Sequence, residues 1–263
     1  MLNPLHIKKK IRVVLPALVV IFLVISGSTA IAQEQPDQRK LSDPTAPGYE
    51  RPMENYDPWE GFNRSMYKFN YGVDKYFLLP VANSYDFVTP DVVQTGVTNF
   101  FGNLFEITNL YNNLLQGNPE GTVNTIFRFF FNSTMGIGGL FDPATEMGFH
   151  KADEDFGQTL AVWGAGPGPF LVLPVLGPST VRDGIGSGVD SFAKSIWLEA
   201  LVHDVWKDTG DRDRVYWTLT GLNAIQTRAN VPFRYYGSGS PFEYELVRYV
   251  YLKGRQLKIQ QRN

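Results

Sequence analysis

Cysteine is absent from all 263 residues. That removes disulfides, thiolate metal centres, a thiol nucleophile and a cysteine acceptor for lipid. Histidine is nearly as scarce, with three in the chain. His150 lies among Glu146, Asp153, Glu154 and Asp155, a spacing that matches no ligand template, and a lone histidine in a charged loop is ordinarily just solvated. His203 stands beside Asp204 without a nucleophile in a suitable context. There is no G-x-S-x-G elbow and no H-E-x-x-H pair. Two glycine-rich runs, at Gly164, Gly166 and Gly168 and at Gly184, Gly186 and Gly188, lack the strand-to-helix context of a dinucleotide site. Both read as flexible or closely packed backbone. The chain is not read as an enzyme.

A long apolar run is missing as well. The longest is Val13–Ile25, thirteen residues behind Lys8, Lys9, Lys10 and Arg12, where a bilayer span needs roughly twenty. With the Ala30-Ile31-Ala32 pattern after it, this stretch reads as a secretory leader over residues 1–32, cleaved after Ala32. Without the leader, 20 of the 24 basic residues face 26 acidic ones. A basic footprint for nucleic acid is therefore lacking. Any membrane contact of the remainder comes from amphipathic elements lying in the bilayer. Residues 33–56, with Pro36, Pro44, Pro47 and Pro52 among charged and small residues, read as a disordered tether.

What is present is aromatic and neutral-polar. Nineteen Phe, thirteen Tyr and five Trp suit lipid contact, interface belts or a rich core. The organising stretch is Val97–Phe141. Val97, Phe100, Phe101, Leu104, Tyr111, Leu114 and Leu115 fall on one helical face, and Asn99, Asn103, Glu106, Asn109, Asn112 and Asn113 on the other. A helix facing bulk water ordinarily carries Lys and Glu four apart. An almost uncharged amide face fits a wet, enclosed surface instead, the competing reading being turn residues. After a break at Gly117 or Asn118-Pro119, residues 122–135 are apolar nearly all round, with Asn124, Arg128 and Asn132 as a polar line. Such a helix is either fully buried or lipid-facing.

The flanks read as follows. Asp57-Pro58-Trp59-Glu60 starts a helix that runs to about Phe77 and stops before Pro80, with a further helix or turn over Val81–Val88. Residues 142–154 form a loop and 155–163 a short helix. Gly164–Pro178 is an extended or hairpin segment, since Pro167, Pro169 and Pro174 forbid a regular helix. A helical piece loosened by its glycines follows, then a helix over Arg212–Asn230. A capping box at Ser240–Glu243 opens a last helix to about Leu257. The fold is mainly α.

DPWEGFNRSMYKFN (57–70), FFGNLFEITNLYNNLLQG (100–117), RFFFNSTMGIGGLFD (128–142) and DFGQTLAVWGAGPGPFLVLPVLGPSTVRD (155–183) closely resemble the MlaA/VacJ family. The resemblance implies a ring-like bundle of amphipathic helices over residues 57–263, embedded in the outer membrane of a Gram-negative bacterium beside a trimeric porin and facing the periplasm. It implies removal of mislocalised phospholipid from the outer leaflet through an amphipathic channel. That lipid passes to a periplasmic MlaC-type carrier, which preserves lipid asymmetry, and no ATP, metal or cofactor is needed in this subunit. On that reading Asn99, Asn103, Asn109, Asn113, Arg128 and Asn132 contact lipid or line the channel, and Gly166, Pro167, Pro169 and Phe170 form a rim or gate. The family is typically lipidated on a cysteine just after the leader. This chain has none, so anchoring rests on apolar surface, porin contact or a retained leader. The alternative is a soluble periplasmic lipid-binding adaptor.

Overall fold

The computed structural model describes residues 57–206 and 210–260; the expected leader and tether lie outside them. Helix α1, Glu60–Val73, follows a turn in which the Asp57 carboxylate accepts the Trp59 amide at 3.2 Å. The helix does not stop before Pro80, as the sequence suggested. One wide π-turn, Asp74–Leu78, carries the chain directly into α2, Leu79–Val88, with the Leu79 amide donating to the Asp74 carbonyl. Proline lacks an N–H and crowds the preceding turn, and a π-turn is a local register change that accommodates such a residue.

The organising stretch is two helices rather than one before its expected break. Helix α3, Asp91–Leu104, ends at Phe105 (φ −99°, ψ 11°), and α4, Glu106–Leu115, starts at once. Gly117 (φ +66°) turns the chain, and the Asn118 side chain caps α5, Pro119–Thr134, by accepting the Gly121 amide at 3.1 Å. The expected loop over 142–154 contains a single-turn helix α6, Pro143–Glu146, capped by Asp142. Helix α7, Phe156–Val162, is capped by Asp155.

The Gly/Pro segment is a hairpin. Strands β1, Phe170–Leu173, and β2, Gly177–Thr180, pair antiparallel with Phe170 opposite Thr180. Thr180 then caps α8, Val181–Val205, an unbroken helix of 25 residues. Its glycines do not loosen it. A Cβ on Gly186 would stand 2.3 Å from the Gly157 backbone nitrogen, so the glycine lets α7 and α8 touch backbone to backbone. Helix α9, Arg212–Ala229, packs on α2, α3 and α8, and α10, Glu243–Gln260, packs on β2 and α7.

The sidedness of this mainly α fold is inverted. Among the described residues, 22 polar or charged side chains are buried against 11 apolar ones. The one apolar cluster is small: Tyr67, Phe170, Val172 and Tyr244, flanked by Tyr235, Val247 and Tyr251. Large apolar groups instead point outward, including Val123, Ile126, Phe129 and Phe130 on α5 and, across α2 and α3, Phe87 at 90% exposure and Val92 at 78%. Moving each such side chain from water into hydrocarbon gains about 1.5–3 kcal/mol, which makes this surface a membrane or partner contact rather than a water face. No described helix is long and apolar enough to cross a membrane.

Candidate functional site

The interior begins where the amide faces of α3, α4 and α5 meet. Asn109 donates to Glu106 at 2.7 Å and accepts the Glu154 amide at 3.0 Å. Glu106, 2% exposed, receives Arg128 Nε from α5 at 3.1 Å. The rest of that guanidinium bonds Thr145 Oγ1 (2.9 Å), the Phe149 carbonyl and Asp142 (3.0 Å), so four of the buried cation's five N–H groups are hydrogen-bonded. Burial pushes the Asp142 carboxyl up, and the bonds from Thr145, Arg128 and Asn132 more than offset this and hold it below the usual carboxylate range. Asn132 also accepts the Ala144 amide at 3.1 Å.

A second web joins α4 to α7 and α8. Asn112 donates to Asp190 (3.2 Å) and accepts from Thr159 (2.7 Å), which itself accepts from Gln116 (2.8 Å). Asp190 closes the web by accepting the Phe156 amide at 3.0 Å and the Tyr111 hydroxyl. A third web ties the C-terminal helix in. Arg255 of α10 makes paired bonds to both Asp155 (2.6 and 2.9 Å) and Asp183 (3.0 and 2.9 Å), and Arg182 and Tyr251 also reach Asp183 at 3.0 Å.

The first web, through Asn109 and Glu154, borders one of two adjoining cavities. One, of about 550 Å³, is polar, with Thr108, Asn109, Lys151, Lys194, Asn223 and Gln226 on its wall. The other, of about 480 Å³, is mostly apolar, with Val73, Leu78, Val175, Leu176, Phe233 and Tyr235. Asn223, Thr227 and Val231 of α9 and the loop after it line both, so the two share a wall. Over the apolar cavity hangs the tip of the β1–β2 hairpin. There Val175 has φ +66°, a strained conformation for a β-branched residue. Asn70 holds that tip with two bonds, donating to the Leu173 carbonyl at 2.9 Å and accepting the Val175 amide at 2.7 Å. A third, shallower groove of about 870 Å³ lies at the start of α5, beside Phe127, Phe149 and His150.

Of the residues expected to line a channel, Asn109 is on the polar cavity's wall. Asn103, Asn113, Arg128 and Asn132 are buried and bonded within the protein. Asn99 is half-buried, donating to the Leu140 carbonyl at 3.3 Å. In the expected rim, Gly166 and Pro167 are exposed and Pro169 half-buried, while Phe170 is packed in the apolar cluster. Lys194, Lys151, Thr108 and the α9 face escaped the sequence reading. Asn223, Gln226, Thr227 and Asn230 fall at i, i+3, i+4 and i+7, the same neutral stripe that drew attention to α3 and α4. Among the described residues no group of three or more His, Asp or Glu is placed to hold a metal.

Comparison with known proteins agrees with this geometry. The family described as "MlaA lipoprotein" matches residues 55–258. The chain is 40% identical to an uncharacterised protein of Rickettsia typhi over 54% of its own length and 56% of the relative's. It is 38% identical to the intermembrane phospholipid transport system lipoprotein MlaA of Escherichia coli, over 66% of each chain. The chain thus spans between half and two thirds of the length of these curated relatives. A solved structure described as "Structural basis for maintenance of bacterial outer membrane lipid asymmetry" superposes with a TM-score of 0.59 at 32% identity. That match covers 78% of this chain and 100% of the other. With the helical order, the hairpin and nearly all of the described chain accounted for in this way, the protein belongs to the MlaA family.

Proposed function

We propose that this protein takes part in intermembrane phospholipid transport, removing phospholipid from the outer leaflet of the outer membrane and passing it to a periplasmic MlaC-type carrier. The observation that carries the reading is the inverted sidedness: apolar side chains outward, and inside a polar chamber sharing a wall with an apolar one. A phospholipid needs both environments on one path, because its headgroup is costly to dry and its chains are costly to wet. The outward aromatics supply membrane attachment without a cysteine and offer the surface for a trimeric porin. No bond is made or broken in this reading, and no cofactor is called for. Of the amide faces, Asn109 lines the polar side of the path, while Asn103, Asn113, Arg128 and Asn132 brace the helices behind it.

Phospholipid exposed at the cell surface, measured with and without the gene, should rise on deletion and return with a plasmid copy. No change would count against the proposal. The soluble-adaptor reading is favoured by one observation, the absence of a cysteine to acylate. Carbonate-washed membranes separate the two: the proposed protein stays in the pellet and an adaptor leaves it.

In this reading the Gly/Pro segment is the gate. Gly166 and Pro167 form its exposed approach, Pro169 and Phe170 anchor it, and the Val175–Leu176 tip closes the apolar chamber. Asn70→Ala removes both bonds that hold the tip. It should alter surface phospholipid several-fold while helix content is kept, whereas parental lipid levels would remove the hairpin from the gating role.

A further inference from the structure

The charges on the polar chamber's wall balance in number but are unevenly paired. Its wall carries Lys151, Lys194, Asp153 and Glu154. Lys151 is committed to Asp153 at 3.1 Å, and Glu154 is engaged by the Gln116 amide at 3.5 Å. Lys194 has no carboxylate partner among the described residues; its Nζ lies 5.5 Å from the centroid of the Phe105 ring, which also lines the chamber. The amides around it are already occupied. Asn109 serves Glu106 and the Glu154 backbone, and Gln226 bonds Thr98, Asn223 and Asn230.

One wall group is left over. Thr108 is 5% exposed and its hydroxyl oxygen has no hydrogen-bond partner. Buried hydroxyls are rarely left this way in a finished interior. A hydroxyl without an acceptor and an ammonium without an anion, on the walls of one chamber, share a single complement. It is an anion with several oxygens, one to pair with the lysine and another to take the threonine proton.

We propose that Lys194 and Thr108 form a docking station for the phosphodiester of a phospholipid headgroup, with the chains directed into the adjoining apolar chamber. This rests on the transport reading above and adds to it the place where the headgroup pauses. An ammonium is a compact point charge suited to phosphate oxygen, and charge-assisted bonds of this kind are the stronger ones. The chamber volume lies within the ordinary range of small-molecule sites. The aromatic ring beside Lys194 restrains the long side chain and so lowers the ordering needed on binding.

The test is equilibrium binding to the purified full chain in neutral detergent. The probes are dihexanoylphosphatidylethanolamine, dihexanoylglycerol, which lacks the phosphate, and inorganic phosphate. Lys194→Met should weaken the phospholipid about tenfold and Thr108→Val about threefold, with dihexanoylglycerol binding unchanged. Thr108→Val should also keep or raise the melting temperature, since it removes an unpaired buried hydroxyl; a purely structural threonine would lower it. Lys253→Met, on an exposed helix face, serves as the control and should match the parent. Phospholipid binding that is equal in the parent and both chamber variants would overturn the station while leaving the transport reading in place. Inorganic phosphate bound as tightly as the phospholipid, and lost in the same variants, would reassign the site to a free anion. A parent that binds neither lipid would overturn the transport reading itself.

Discussion

Arg128→Met is expected to cost about 3–5 kcal/mol of stability, enough to unfold a large share of a marginally stable protein. The side chain is only 4% exposed and, among the described residues, is the sole cation bonded to Glu106, itself 2% exposed. Methionine matches the length of the arginine stem but leaves a carboxylate buried among α4 and α5 without its counter-charge. It also strands the Phe149 carbonyl and removes one bond each from the Thr145 hydroxyl and Asp142. Chemical unfolding of the detergent-solubilised protein reads the loss. The companion Arg128→Met/Glu106→Gln should recover a substantial part, because the dominant penalty is the uncompensated charge rather than the missing contact. Parental stability in Arg128→Met would show that Glu106 is not held in this way.

The second large effect is tied to pH. Burial raises the Asp155 and Asp183 carboxyls, but Arg255, together with Gln158 at Asp155 and Arg182 at Asp183, outweighs it and the folded pKa is lowered. A carboxyl with a lowered folded pKa contributes stability above its unfolded value, near 3.9, and loses it as the pH falls through the folded value. Arg255→Met should therefore cost about 3 kcal/mol at pH 7, where both carboxylates are charged and neighbours. The gap between parent and variant should narrow from about pH 5 downward as the variant's carboxyls, Asp155 having lost its guanidinium and Asp183 keeping only Arg182, take up protons first. Melting curves between pH 3 and 7 measure it. A gap independent of pH would mean that Arg255 acts by packing alone.

Much of the local architecture was legible in the residues. Asn118-Pro119, Asp155, Thr180 and the Pro-rich hairpin each carry their own stereochemistry, and each sits where that stereochemistry predicts. The break at Phe105 has no Gly or Pro to announce it. It falls where the amide face is re-aimed, Asn103 of α3 bonding Ser133 of α5 and Asn112 of α4 bonding Thr159 of α7 and Asp190 of α8. The π-turn was hidden for the opposite reason, since Pro80 reads as a stop when the helix can instead widen by one residue. Pairings such as Arg128 with Glu106, 22 residues apart, or Arg255 with Asp183, 72 apart, belong to the tertiary fold and leave no trace in local spacing. The α9 stripe was visible in the same terms as the α4 stripe. The same helix carries the apolar residues Val215, Leu219, Leu222 and Ile225, whose spacing is that of a packing face and obscures the polar one.

The inverted sidedness also bears on how this protein responds to temperature. The heat capacity of unfolding grows with apolar area exposed to water, at about +0.45 cal/mol/K per Å², and shrinks with polar area, at about −0.26. An interior of amides, carboxylates and guanidiniums exposes mainly the second kind, and aromatics that are already outward add little new apolar area on unfolding. The resulting stability curve is broad and shallow. Cohesion here is enthalpic and directional, so cooling does not weaken it as it weakens a hydrocarbon core. On the transport reading proposed above, the walls of the lipid path would be equally well formed in cold and in warmth.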